Sequence, residues 1–440
     1  MAKYQQYEEY KDSGVEWLGE IPRDWKITRI KHSATLNMGQ SPNSEDCNMD
    51  GNGYPFLQGN AEFGTMSPTA KQYCPIPRKL ANEGDLLFSV RAPVGALNVA
   101  DKVYGIGRGL CSLTSNSQMT QSFLWWVLPS YKYQLDAIST GSTFEAVSAE
   151  QVSNLLFALP TYGEQAQIAN FLNHETAQID TLIDKQQTLI QLLKEKRQAV
   201  ISHAVTKGLN PDAPMKDSDV EWLGEVPEHW VVTKLGFHTS KIGSGKTPRG
   251  GAEVYQEEGV LFLRSQNIYN DGLRIDKSES VFISEIIHEE MSNTKVQGGD
   301  VLLNVTGGSI GRTCIVPDDF IEANVNQHVC IVRLPTSMSF VIAFVLKSSL
   351  VKEQIDAIQT GGNREGLNFE QIAKFIICLP PEKERGSIVN YIECETKKID
   401  NLLEQSSHAI QLMQERRTAL ISAAVTGKID VRDWQAAEVN

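Results

Sequence analysis

The sequence predicts a mixed α/β (α+β) protein. Two globular domains stand in tandem, each followed by a long helix, and the two helices run antiparallel as an intramolecular coiled coil. Three observations predict it. The eleven residues "VEWLGEIPRDW" at 15–25 return as "VEWLGEVPEHW" at 220–230. Longer stretches return in the same order: "GDLLFSV" (84–90) as "GDVLLNV" (299–305), and "IDTLIDKQQTLIQLLKEKRQAVISHAVTKG" (179–208) as "IDNLLEQSSHAIQLMQERRTALISAAVTGK" (399–428). Each copy also closes on a long run with heptad spacing.

The 440 residues exceed one ordinary domain. The repeat is too long for a solenoid unit, so the chain reads as two copies of a domain-plus-tail module. Its divisions fall at 1–25, 26–160, 161–208, 209–230, 231–380 and 381–440. In the globular stretches 26–160 and 231–380, "GDLLFSV", "GDVLLNV", "LCSLTS" and "VCIVRL" read as buried strands. "SFLWWVLPSYKYQLDAI" and "SFVIAFVLKSSLVKEQIDAI" read as short amphipathic helices. The Gly-, Pro- and Asn-rich runs 37–60, 241–253 and 304–312 read as loops.

The tails are helical. No Gly or Pro occurs from Glu164 to Thr206. Ile168, Leu172, Glu175, Ile179, Leu182, Gln186, Leu189, Leu193, Lys196 and Val200 step by four and three. Ile388, Ile392, Glu395, Ile399, Leu402, Ser406, Ala409, Met413, Arg416 and Leu420 repeat the pattern. About 43 helical residues at ~1.5 Å rise give a rod of about 64 Å. Pro160 and Pro380-Pro381 precede the helices, and Gly208 and Gly427 end them. Each apolar stripe needs a cover. The other helix supplies it, the alternative being that each helix lies on its own domain.

Composition bounds the function. The net charge is −13. Residues 26–160 are neutral and 231–381 carry only −3, so no basic face announces a nucleic-acid binder in bulk. Seven cysteines without a CxxC pair fit reduced, mostly buried thiols. No apolar run is long enough to span a membrane and no apolar signal core opens the chain, which points to the cytoplasm. "GSGKTP" (243–248) fails as a phosphate loop, because Ser240 stands where a Gly is required and Pro248 blocks the helix. Amino-methyltransferase signatures are missing, and the eight histidines show no metal-ligand spacing. A binding or assembly role is favoured over catalysis, with no metal and no cofactor of its own.

Polar side chains crowd the divergent loops: Gln40, Ser41, Asn43, Gln58, Asn60, Arg91 and Arg108 in the first copy. The second has Lys246, Thr247, Arg249, Arg264, Gln266, Asn267, Arg312, Asn326 and Gln327. Arg, Gln and Asn can make paired contacts to base edges, and Lys and Gly-rich backbone can hold phosphates. The competing reading is that they cap turns.

Taken together, "GVEWLGEIPRDW", "GDLLFSVRAPVG", "GIGRGLCSL", "QIANFLNHETAQIDTLI" and "AVTGKIDVRDW" resemble the specificity subunits of type I restriction–modification systems. The resemblance covers essentially the whole chain. It implies that 26–160 and 231–380 are target recognition domains. Each would read one half of a split, asymmetric site in double-stranded DNA. The helices would set the gap and dock two methyltransferase (modification) subunits, and motor-nuclease (restriction) subunits would join them. S-adenosylmethionine and ATP would belong to those partners. Residues 1–25 would complete the second helical region, as 209–230 follow the first, making the arrangement circular with a pseudo-two-fold. The alternatives are a coiled-coil scaffold or decoy, or a single-chain DNA-modifying enzyme.

Overall fold

The computed structural model describes residues 4–130, 146–276, 280–359 and 366–436. The chain forms two compact units, Met1–Gln186 with His408–Asn440, and Gln187–Ser407.

In the first unit eight short strands build two sheets. They are β1 (Ala34–Met38), β2 (Tyr54–Leu57), β3 (Gln72–Cys74), β4 (Leu80–Ala81), β5 (Leu86–Ser89), β6 (Leu97–Val99), β7 (Tyr104–Ile106) and β8 (Leu110–Ser115). One sheet runs β1-β8-β5-β6, all antiparallel; the other runs β3-β2-β7-β4, with β2 and β7 parallel. The second unit repeats this with β9 (Lys241–Ser244), β10 (Val260–Leu263), β11 (Val281–Ile283), β12 (Lys295–Val296), β13 (Val301–Asn304), β14 (Thr313–Ile315), β15 (Ala323–Val325) and β16 (Val329–Arg333). Its sheets run β9-β16-β13-β14 and β11-β10-β15-β12, with β10 and β15 parallel. The continuous apolar run Leu86–Phe88 is buried on both faces, and so is Val301–Leu303.

The "Gly-Asp" that introduces β5 and β13 has a structural cause. Asp85 accepts from its own turn at Asn82 N (2.8 Å) and from Thr114 Oγ1 (2.5 Å). Asp300 accepts from Gln297 N (2.8 Å) and holds Arg333 by two bonds, Nε–Oδ1 at 2.7 Å and Nη2–Oδ2 at 2.8 Å. Both carboxylates are buried, and each ties a turn to the neighbouring strand.

Two loop expectations change. Residues 37–60 contain β2, and 241–253 contain β9. Their Gly and Pro content marks the turns beside these strands and conceals the strands themselves. The helix expected from Ser122 is α1 (Gln121–Ser130); its continuation lies outside the described residues. The matching segment in the second unit is two helices, α3 (Thr336–Lys347) and α4 (Ser349–Gln359). Ser348 breaks it: its Oγ bonds Val345 O at 2.5 Å, and Ser349 N donates to Ser202 Oγ at 2.9 Å.

The long helices are α2 (Tyr162–Lys207) and α5 (Glu382–Val425). In the first unit their segments run antiparallel, with Asp180 bonded to Arg417 (2.8 Å) and Gln167 donating to the Trp434 carbonyl beyond the end of α5 (2.5 Å). In the second unit Arg197 meets Asp400 at 2.8 Å, and Ile201, Ala204 and Val205 share a core with Ile388 and Ile392. The two ion pairs are the same pair written twice, because 180 and 400, like 197 and 417, are equivalent in the repeat.

The expected seam needs one correction. Ile168, Leu172, Ile179, Leu193, Ile388, Ile392, Ile399 and Leu420 are buried, and Val200 and Met413 half-buried. Leu182, Leu189 and Leu402 are exposed instead, at 51%, 42% and 48%. The inward row moves on by one residue: Ile183 is buried, and Ile190, Leu403 and Ile410 are half-buried. The sequence carries adjacent apolar pairs (Leu182-Ile183, Leu189-Ile190, Leu402-Leu403), so heptad counting alone does not decide between the two rows.

The repeated eleven-residue motif packs on the end of a long helix. In the second unit Gly208 ends α2 with φ 76°, and Trp230 and Val226 share a core with Ala204 and Val205. In the first unit Gly427 ends α5 with φ 71°, and a Cβ there would collide with Pro22. Tyr10 Oη donates to the Gly427 carbonyl (3.1 Å), and Asp430 N donates to the Gln5 carbonyl (2.8 Å). The tryptophan of each motif also binds the first turn of a helix, Trp25 Nε1 to Glu164 Oε1 at 3.3 Å and Trp230 Nε1 to Glu384 Oε2 at 3.0 Å.

Candidate nucleic-acid interface

In both units the chain crosses from one sheet to the other through a single turn. In the first, β7 leads to β8 through Gly107-Arg108-Gly109, closed by Leu110 N to Gly107 O at 3.0 Å. In the second, β15 leads to β16 through Asn326-Gln327-His328, closed by Val329 N to Asn326 O at 3.2 Å. Both are β-turns, with Arg108 and Gln327 exposed at the same position.

Backbone bonds that flank the turn recur in both units. Gly107 N donates to Leu57 O (2.8 Å) and Asn326 N to Leu263 O (3.0 Å). Gly39 N donates to Leu110 O (2.9 Å) and Gly245 N to Val329 O (3.2 Å). These two glycines are obligatory, since a Cβ on Gly39 would strike the Gly107 carbonyl and one on Gly245 the Val325 carbonyl. The bonds align Gln40 with Lys246, Ser41 with Thr247, Gln58 with Arg264 and Arg108 with Gln327. The scaffold is therefore constant and the side chains it presents differ.

In the first unit Ser41, Gln58 and Arg108 come together. Gln58 Nε2 lies 2.9 Å from Ser41 Oγ, which also accepts from Arg108 N at 3.3 Å. With Asn48 and Gln72 they line a cleft of 410 Å³. Gln40 is exposed beside them, its N–H bonded to Ile106 O (2.9 Å). Asn43 is exposed in a turn closed by Asp46 N at 3.0 Å, and Asn60 opens the short 3-10 turn Asn60–Glu62. Arg91 is exposed on the stretch that bridges to Ala146, directly after Val90, whose N–H donates to the Gly109 carbonyl at 3.0 Å.

In the second unit Thr247 Oγ1 donates to Gln327 Oε1 (2.6 Å), and Gln327 Nε2 lies 3.1 Å from His328 Nε2. His328 Nδ1 is 2.6 Å from Thr306 Oγ1. Sequence reading missed His328 and Thr306, because neither carries a motif; their role follows from the Gln327 contact. Lys246 is exposed, with Nζ 3.3 Å from the Glu290 carbonyl, and Arg249 and Gln266 are exposed nearby in sequence. Arg264 is half-buried.

Two second-copy candidates, Asn267 and Asn326, are turned inward, and a third, Arg312, is half-buried against an aromatic ring. Asn267 is 1% exposed; its Oδ1 accepts from Arg264 N (2.9 Å) and its Nδ2 donates to Arg274 O (2.8 Å), so it pins a turn and presents nothing outward. Asn326 is buried, with Oδ1 accepting from His328 N at 3.1 Å. Arg312 lays its guanidinium over the Tyr269 ring at 4.9 Å, with Arg274 on the same ring at 4.4 Å.

Among the described residues no group of three or more His, Cys, Asp or Glu is placed to hold a metal. Burial pushes the thiols of Cys111, Cys314, Cys330 and Cys378 up to about 12, which leaves them protonated and weakly nucleophilic at neutral pH. No described helix is long and apolar enough to cross a membrane.

Comparison with known proteins agrees with this duplicated scaffold. Residues 22–192 and 227–419 match the family described as type I restriction modification DNA specificity domain. Over 194 residues the chain is 36% identical to the putative type I restriction enzyme MjaX specificity subunit of Methanocaldococcus jannaschii; the match spans 43% of this chain and 45% of that relative. It is 23% identical to the type I restriction enzyme EcoBI specificity subunit of Escherichia coli, over 97% of this chain and 90% of the relative. A solved chain from work on complex assembly and conformational transition of the type I R-M system shares the fold. Its TM-score is 0.73 over 92% of this chain and 98% of that one, at 16% identity. With the domain matched twice and most of its length covered, this chain belongs to the type I restriction–modification DNA specificity family.

Proposed function

We propose that the chain is the non-catalytic specificity subunit of a cytoplasmic type I restriction–modification complex. Residues 26–160 and 231–380 each read one half of a bipartite, asymmetric target in double-stranded DNA. The paired helices set the spacing, two modification subunits dock on the repeated surfaces, and restriction subunits join them.

One observation carries this reading: what differs between the copies and what repeats are sorted by position. At the inter-sheet turn the scaffold is the same while the presented side chains diverge, as two readers of two sequences require. Elsewhere, three exposed apolar positions are identical in the two copies. Trp17 and Trp222 are 41% and 44% exposed, Leu182 and Leu402 51% and 48%, and Leu192 and Leu412 56% and 50%. Large apolar groups left in solvent twice, at equivalent positions, suit two copies of one partner. The acidic balance fits a subunit whose partners supply most phosphate neutralisation, so the isolated chain binds DNA weakly and salt-sensitively.

The test is methylome sequencing of a methylation-free host that expresses the chain with its modification subunit. The expected result is one methylated motif with two specified halves and a fixed gap, which disappears when the chain is omitted. A motif unchanged by that omission, or methyl transfer by the purified chain alone, overturns the proposal.

A further inference from the structure

We infer that Arg108 reads a guanine in one half-site and Gln327 reads an adenine in the other, each through the major-groove edge of the base. This inference rests on the DNA-reading role proposed above and goes further by assigning residues to bases.

The two residues hold the same apex of the same turn, on bonds that come from the backbone and from the flanking Gly39 and Gly245. Their side chains can therefore be compared as alternatives on one platform. The Gln327 amide is engaged at both its oxygen and its nitrogen. Thr247 Oγ1 donates to its Oε1 at 2.6 Å, and its Nε2 donates to His328 Nε2 at 3.1 Å. On its other side the His328 ring meets Thr306, with Nδ1 2.6 Å from Thr306 Oγ1. With one lone pair and one N–H so engaged, the exposed amide keeps one acceptor site and one donor. Side by side, these match adenine, whose N6–H donates and whose N7 accepts; guanine offers two acceptors there and leaves the amide oxygen unpaired.

Arg108 presents the opposite chemistry. A guanidinium has five donors and no acceptor. It fits the O6 and N7 acceptors of guanine with two parallel bonds and cannot satisfy the adenine N6 amino group. Ser41 Oγ takes the Arg108 backbone N–H at 3.3 Å, which fixes the base of the side chain and leaves the guanidinium exposed. A phosphate offers only acceptors, so it would suit Arg108 but would leave the remaining acceptor of the Gln327 amide unmatched.

The test uses the chain assembled with its modification subunit, and duplexes carrying its methylated target. Each guanine and adenine is replaced in turn by its 7-deaza analogue, which removes the N7 acceptor. Competition binding with the wild type should reveal a sensitive guanine in one half and a sensitive adenine in the other, each weakened about 5- to 150-fold. R108A should abolish sensitivity at the guanine alone, and Q327A at the adenine alone. The untouched half in each variant reports that the assembly is folded. Unchanged sensitivity in the variants overturns the assignment. So does R108A weakening every duplex equally with the salt slope falling by about one, the mark of a phosphate contact. A wild type that prefers no duplex would instead defeat the DNA-reading role itself.

Discussion

Asp300 lies buried in the turn that opens β13, and it is tolerated there because every direction is answered: a backbone N–H from Gln297 and two guanidinium bonds from Arg333. D300A strips the partner from a guanidinium that is itself only about a quarter exposed. It should cost about 3 kcal/mol of the second unit's stability, read as an earlier transition in urea. At this scale the sequence was legible in part. Polar loop residues were identifiable as types, and the structure gathers Ser41, Gln58 and Arg108, and separately Thr247 and Gln327. It turns Asn267 and Asn326 inward and sets Arg91 in a different loop. The bonds that hold these two Asn side chains reach only two to seven residues along the chain, a turn chemistry that residue type alone does not announce.

The long helices show where periodicity suffices and where it fails. Their extents follow from Pro before and Gly after, and α2 runs Tyr162–Lys207 against an expected 161–208. Their rotation does not follow, because Leu182 and Ile183 are equally apolar. In the structure the rotation that turns Ile183 inward also joins Asp180 with Arg417 and Arg197 with Asp400. Truncating Ile183 should therefore cost about 2–3 kcal/mol through lost burial and a residual cavity. L182A should change stability by less than about 0.5 kcal/mol. Chemical denaturation of both variants separates the two rotations, and a reversed ranking would restore the row read from heptads. Short strands such as β2 and β9 escaped because strand signals of four residues drown in flanking Gly and Pro.

For the whole molecule the repeat was the most legible feature, and the structure supplies its cause. "VEWLGE…P…W" packs on the glycine at the end of a long helix: covalently downstream of α2 at 209–230, and non-covalently beside α5 at 1–25. Gln5 and Asp430 are already hydrogen-bonded at 2.8 Å. A permutant with the original termini joined by a short flexible linker and a new opening between Asn210 and Pro214 should fold and support the same methylated motif. Size-exclusion chromatography and methylome sequencing check this; an insoluble or inactive permutant would show that the link at 209–214 is indispensable.

The inter-sheet turn is held by its backbone and by two obligatory glycines, so its apex side chain contributes little to the fold. Exchange of that one residue leaves the architecture intact. On the base-reading role proposed above, a point substitution at this apex would change the genomic address without compensatory changes in the core, so target choice and scaffold could drift at different tempos.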